Sequence, residues 1–334
     1  MKTYLGIDLG SVSTKFVLID ERNEIIFSSY FRTEGNPIAA IQKGLRELKK
    51  LIENHNPDID LHTNAFGVGV EISGVGTTGS ARYLAGVITG ADLIKNEITA
   101  HARGVRRFIP DAKTVIEIGG QDSKIIILEN SVVTDFAMNL VCSAGTGAFL
   151  DAQSFRLGIP VENFGELALK SKNPTTLGSR CSVFAESDMI HKQQIGHKTE
   201  DIIAGLCQGL ARNYLAGVGR GKKIQPPIIF LGGVSENIGM RKAFEEALGQ
   251  KVIVPKYNTV MGAFGVALLV KENPPEKPKF LGFGISDKEI KCTSFQCRGC
   301  PNQCEVIEAR IEGKVMARWG DRCGKWSNLN VNSA

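Results

Sequence analysis

Two phrases of this 334-residue chain have the makings of phosphate-binding turns. In the first, apolar Tyr4–Asp8 runs into Gly10-Ser11-Val12-Ser13-Thr14 and leaves through Lys15–Asp20. In the second, Thr114–Ile118 leads to Gly119-Gly120-Gln121-Asp122-Ser123 and then to Lys124–Leu128. The second repeats the first 109 residues later, setting Glu117 on Asp8, Gly119 on Gly10 and Lys124 on Lys15. Small polar residues between β-branched runs predict hairpins. Their exposed backbone N–H groups and hydroxyls suit phosphate oxygens. Lys15 adds a compact positive charge, and Asp8 and Asp122 are suited to hold Mg²⁺ through its waters. A third turn, Gly232-Gly233-Val234, follows the buried strand expected at Pro226–Leu231 and opens a helix over Ser235–Ala247. It is suited to an adenosine, because glycine lets backbone come close to a ligand. Two like-folded halves, each offering one hairpin turn, would clamp the β- and γ-phosphates of a nucleotide from both sides.

Cysteine supplies the second kind of chemistry. Cys142 and Cys181 each stand directly before a predicted helix, in Cys142-Ser143-Ala144-Gly145-Thr146-Gly147 and Arg180-Cys181-Ser182-Val183. A helix N-terminus stabilises a thiolate and any anionic cluster it binds. Two thiolates are half the shell of a [4Fe–4S] cluster, and a two-fold dimer would bring the pair twice. The residues alone favour two buried, inert thiols over this reading. Near the C-terminus, Cys297, Cys300, Cys304 and Cys323 have C-x2-C-x3-C spacing plus a distant fourth thiol. That set suits tetrahedral zinc or a second Fe–S cluster, with Cys292 as a spare. Cys207 falls mid-helix on an apolar face, and His101 and the other four histidines show no ligand spacing.

The elements that must position these residues are legible as patterns. Helices are expected over Pro37–Asn54, Asp92–Phe108, Ala144–Leu157, Val183–Ile195, Thr199–Gly217 and Val260–Val270. The domains implied are a first half over 1–110, a second half over 111–270 whose last helix packs back on the first, a Pro-rich linker over 271–279, and a Cys-rich metal-binding module over 280–331, leaving Asn332-Ser333-Ala334 outside it. Gly74-Val75-Gly76-Thr77-Thr78-Gly79 fits the dinucleotide pattern G-x-G-x-x-G. A phosphate hairpin already leads the domain, so this segment reads as a structural connection.

A charged fraction of 22% with mixed signs excludes a disordered chain. The net charge of +5 is small and dispersed, which gives no case for nucleic acid. The longest uncharged stretches, Phe136–Leu150 and Tyr257–Val270, are too short to span a membrane. Asp8 sits where a signal peptide would need an apolar run, so a soluble, cytoplasmic protein is expected.

The phrases GIDLGSVSTK, GTTGSARYLAG, NEITAHARGV, IEIGGQDSK, CSAGTGAFLD, SRCSVFAESDMI and LGGVSENIGM occur in order between Tyr4 and Val270. Through them the chain resembles the ATP-dependent activators of 2-hydroxyacyl-CoA dehydratases, with the related benzoyl-CoA reductase ATPase subunits and double-cubane cluster protein reductases. The resemblance implies an actin-like (acetate kinase/sugar kinase/Hsp70/actin) α/β fold with ATP or ADP and Mg²⁺ between its halves. It implies a homodimer sharing one [4Fe–4S] cluster held by Cys142 and Cys181 of each subunit. It also implies passage of a low-potential electron from ferredoxin or flavodoxin to an iron–sulfur acceptor protein, in a cell living without air. On this reading Asp8, Gln121 and Asp122 are catalytic, and Gly145 joins the three turns among the nucleotide-binding residues. One departure is the apolar approach Asn139-Leu140-Val141 to Cys142, which points to a different partner surface. Two other readings stand beside this one. A small-molecule kinase of the same fold would take Asp92 or Glu97 as its carboxylate and leave both cysteines idle. A chaperone-like ATPase would be colourless.

Overall fold

The computed structural model describes residues 1–55, 70–139 and 142–327. Leu140 and Val141 of the apolar approach, and the stretch after Ser327, lie outside the described residues. The chain divides into unit 1, Met1–Ala100 with Gly262–Ala334, and unit 2, His101–Met261.

Unit 1 is built on β1 (Lys2–Leu9), β2 (Ser13–Ile19), β3 (Ile25–Arg32), β4 (Glu71–Thr78) and β5 (Leu93–Ile94), in the order β3-β2-β1-β4-β5. The first three strands form an antiparallel meander, and β4 adds to β1 in parallel. Helix α1 (Pro37–His55) buries Ile41, Leu45, Leu48 and Ile52, the apolar stripe read from its helical spacing, in one core with Leu5, Ile7, Phe16 and Val75. Helix α2 (Arg82–Thr89) adds Leu84, Ala85 and Ile88 to that core. Helix α3 (Glu97–Phe108) is shorter than expected, because Asp92 is engaged before it and Leu93–Ile94 pair as a strand.

Unit 2 repeats the plan. Strands β6 (Thr114–Ile118), β7 (Ser123–Glu129), β8 (Val132–Asn139), β9 (Ile228–Leu231) and β10 (Val252–Ile253) run in the order β10-β9-β6-β7-β8. Each strand of unit 2 thus has its counterpart in unit 1, in both order and direction. Five helices clothe this sheet: α4 (Gly147–Leu157), α5 (Phe164–Lys170), α6 (Ser182–Gln194), α7 (Thr199–Ala216) and α8 (Ile238–Leu248). Ile116, Ile118, Phe230, Leu210, Tyr214 and Phe244 make its core. The expected helix over Ala144–Leu157 is broken at Thr146, with a 3-10 turn before it and α4 after it. The helix expected from Ser235 starts at Ile238, where the Asn237 side chain accepts the Met240 N–H.

The chain then returns to unit 1 through α9 (Met261–Glu272). A methyl on Gly6 would stand 1.9 Å from the Ala263 carbonyl, and one on Gly76 would stand 2.7 Å from that of Val266. Gly76 of the dinucleotide-like pattern, like Gly6 on β1, therefore serves the close packing of α9 on the sheet. Three antiparallel strands, β11 (Ile290–Gln296), β12 (Glu305–Ile311) and β13 (Lys314–Trp319), close the chain. The expected linker over 271–279 is held to unit 1 at both ends. Lys271 continues α9 and bonds Glu21 and Asn23, Lys279 N–H donates to Asp92, and Leu281 N–H donates to the Thr89 carbonyl. Phe280, Phe283, Ile285, Ile290 and Ile311 enter the unit 1 core, so the small sheet is packed as part of that unit. Among the described residues no helix is long and apolar enough to cross a membrane.

Candidate functional site

The register of β1 with β2 puts Asp8 opposite Lys15, whose Nζ lies 3.2 Å from Asp8 Oδ2. Between them the turn closes through Gly10 N–H donating to the Ser13 carbonyl at 3.0 Å. Ser11 is exposed at the tip, while Ser13 and Thr14 are buried. Thr33, a residue that nothing in the local pattern marks, braces the turn from behind. Its hydroxyl donates to the Gly10 carbonyl and accepts from Thr14, both at 2.9 Å, and its N–H donates to the Val12 carbonyl.

The second turn matches the first bond for bond. Glu117 stands opposite Lys124, and Gly119 N–H donates to the Asp122 carbonyl at 3.0 Å. Gly120 is half-buried and Gln121 is exposed at the tip. Lys124 Nζ lies 2.9 Å from Glu117 Oε2 and 2.9 Å from Asp122 Oδ1. Glu117 and Lys124 are therefore part of the site, although in the sequence they served only to align the repeat.

Gly232 (φ +85°) begins the third turn, with Gly233 exposed and Val234 buried. A methyl on Gly232 would stand 2.2 Å from the Ile118 carbonyl and 2.9 Å from Glu117 Oε1. Its counterpart in unit 1 is Gly79 (φ +97°), where a methyl would stand 2.4 Å from the Leu9 carbonyl and 2.7 Å from Asp8 Oδ1. Both positions demand glycine for the backbone angle and for the close approach. Beside the turns, the hydroxyls of Thr78 and Ser123 are buried and have no protein partner among the described residues. Such orphans are rare unless a ligand or water completes them. The donor set fits a nucleotide. For Mg²⁺, Asp8 and Asp122 are each already paired with a lysine, so the ion would be reached through phosphates and water.

The Cys142 loop is an outgrowth of the second turn. Gly147 and Ala148 at the start of α4 donate their N–H groups to the Gly119 and Gly120 carbonyls at 2.9 and 2.8 Å. Gly145 faces the same region, near Asn139, Asn213 and Ser123. Asn139, paired with Ser123 across β7 and β8, holds Cys142 from both sides. It accepts the Cys142 N–H at 3.0 Å and donates to the Cys142 carbonyl at 2.7 Å. Cys181 caps α6, and the hydroxyls of Ser143 and Ser182, the residues next to the two cysteines, lie 2.7 Å apart. Cys142 is exposed and Cys181 is half-buried. Two accessible thiols at adjacent helix starts fit half of an Fe–S shell.

The four C-terminal cysteines are not brought together in this way. Among the described residues no three His, Cys, Asp or Glu side chains form a group able to hold a metal ion. Cys297 turns into the module and its N–H bonds the Cys304 carbonyl, whereas Cys300 and Cys323 are exposed. Spacing along a hairpin brings the Cys297 and Cys304 backbones together, and among the described residues no such group of side chains forms around them. Burial pushes the Cys207 thiol up to about 12, in keeping with an inert core residue. Asp92 has both oxygens committed to backbone, to Val75 N–H at 2.9 Å and Lys279 N–H at 3.0 Å.

Comparison with known proteins agrees with this geometry. Residues 5–270 match the BadF/BadG/BcrA/BcrD ATPase family. The (R)-2-hydroxyglutaryl-CoA dehydratase activating ATPase of Acidaminococcus fermentans is 35% identical over 270 residues, covering 79% of this chain and 95% of that protein. A benzoyl-CoA reductase subunit of Thauera aromatica is 29% identical, covering 79% of this chain and 91% of its own. The activator of the 2-hydroxyisocaproyl-CoA dehydratase from Clostridium difficile, solved with bound ADPNP, superposes with a TM-score of 0.68 at 31% identity, over 81% of this chain and 94% of that one. With its duplicated actin-like fold and its paired turns, the chain belongs to the BadF/BadG/BcrA/BcrD ATPase family.

Proposed function

We propose that this ATPase couples nucleotide binding and hydrolysis to delivery of a low-potential electron to an iron–sulfur acceptor protein, working as a homodimer. The relatives named as dehydratase activators and as a benzoyl-CoA reductase subunit favour an acceptor of that class. The observation that carries the reading is the pair of bonds from Gly147 and Ala148 to the Gly119 and Gly120 carbonyls. Through them a change at the phosphate turn reaches the loop of Cys142 and, by the Ser143–Ser182 contact, the start of α6.

On this reading ATP and Mg²⁺ engage both turns, with Lys15 and the exposed N–H groups on phosphate oxygens. Gln121 and Asp122 orient the attacking water, and Asp8 holds the water shell of the ion. Cys142 and Cys181 of two subunits hold the cluster between them, and the seryl hydroxyls beside them fix the loops. A [4Fe–4S] cluster, when bound, supplies a one-electron carrier whose potential follows hydrogen bonding and exposure. The large exposed side chains Phe155, Val183 and Phe184, on the helices that follow the cysteines, support a self-association surface there. Ferredoxin or flavodoxin is the donor class. The kinase alternative loses one of its two candidate carboxylates, because Asp92 is spent on two backbone N–H groups, which leaves Glu97.

The deciding experiment is iron and sulfide analysis with a visible spectrum and solution mass on anaerobically prepared protein. A dimer with about four irons, lost in Cys142→Ala or Cys181→Ala while ATP is still hydrolysed, supports the proposal. A colourless, iron-free protein after anaerobic reconstitution sinks it, and phosphorylation of small hydroxylated substrates would then be assayed.

A further inference from the structure

The two phosphate turns share one pattern and differ in the setting of their lysines. Lys15 faces the Asp8 carboxylate and keeps 15% of its side chain exposed. Lys124 faces two carboxylates, at 2.9 Å each, with 2% exposed. So enclosed, Lys124 cannot reach a phosphate, and its charge is spent inside the protein. Its backbone is fixed as well, paired with Glu117 across the ladder and accepting the Tyr214 hydroxyl at 2.7 Å. Glu117 Oε1 lies toward Gly119 and Gly232, between the second and third turns, while Asp122 stands 27% exposed beside the tip.

We infer that Lys124 is a positioning residue for ATP hydrolysis, one that touches no nucleotide and holds Asp122 and Glu117 in one geometry beside the phosphate turn. The inference rests on the reading of that turn as a phosphate site. The two carboxylates that share its ammonium would otherwise repel and move apart. Without the lysine, Asp122 loses its orientation toward the water while the N–H groups that bind the nucleotide stay in place. Lys15 is the converse case, an ammonium whose partial exposure lets it meet the ligand.

The test is a cycle of Lys124→Met, Asp122→Asn and the double variant in the full chain, each checked for folding by near-ultraviolet circular dichroism. Steady-state hydrolysis of ATP gives kcat, and ADP titration gives affinity. Lys124→Met should lower kcat by ~10–100-fold, as loss of alignment does, and shift ADP affinity by less than about threefold. The double variant should be no slower than Asp122→Asn alone, because both changes act through one carboxylate. Losses that multiply in the double variant, or a normal kcat in Lys124→Met, overturn the inference. Should Lys124→Met not fold, Lys124→Arg takes its place in the same cycle under the same criteria. Unchanged hydrolysis and ADP affinity in Asp122→Asn and Lys15→Met alike would instead overturn the phosphate-turn reading beneath it.

Discussion

Unit 1 and unit 2 build the same turn and give it different neighbours. In both, an acid on the first strand faces a lysine on the second, and a glycine N–H closes on the residue three positions on. Unit 1 leaves its lysine partly open and braces the turn with Thr33, a support from the same unit 23 residues away. Unit 2 buries its lysine between two carboxylates and hangs the Cys142 loop on the turn's own carbonyls. Duplication thus supplied one turn pattern twice. The second copy carries the connection to the exposed cysteine, and on the proposed function nucleotide state is read out there.

That comparison breaks first at the two glycines. Gly79→Ala and Gly232→Ala each force a methyl against a carbonyl at positive φ. Each should cost about 3 kcal/mol or more, seen as a large fall in Tm, and a tolerated change at either would end the equivalence of the units. Lys15→Met comes next, with an expected rise of ~10–100-fold in KM for ATP through a lost phosphate contact and little change in Tm. A kcat defect at constant KM would make Lys15 a positioning residue like Lys124. Asn139→Ala removes both hydrogen bonds to Cys142 and should cost about 1–3 kcal/mol. The sharper readout is faster alkylation of Cys142, and an unchanged rate would deny that the clamp fixes the loop. Thr78→Val and Ser123→Ala should have the smallest effect, within about 1 kcal/mol of stability, since neither hydroxyl has a protein partner to lose among the described residues. Weaker ADP binding in either would show that the nucleotide completes it.

Much of the site could be read from the chain because strand–turn–strand units are local. Apolar runs around Gly10-Ser11 and Gly119-Gly120 specify hairpins without help from elsewhere, and the stripe of α1 specifies its buried face. What escaped were partners remote in sequence. Thr33 lies 23 residues from Gly10, and Tyr214 lies 90 from Lys124. Gly79 ended a pattern that looked like a dinucleotide site, and only the parallel pairing of β4 with β1 brings it to Asp8. The C-terminal cysteines differ: among the described residues their spacing is not matched by a group of three metal-ligating side chains.

By itself, then, the sequence determined the two hairpin turns, their repeat, the glycines of the third turn and the placing of Cys181 at a helix start. Each depends on residue type and short-range backbone preference. The tertiary structure decided which groups share a charge, which carbonyls the Cys142 loop hangs from, and that the last strands join unit 1. Those outcomes depend on distances between segments far apart in the chain. They are settled only when burial makes every ammonium, carbonyl and carboxylate find a partner.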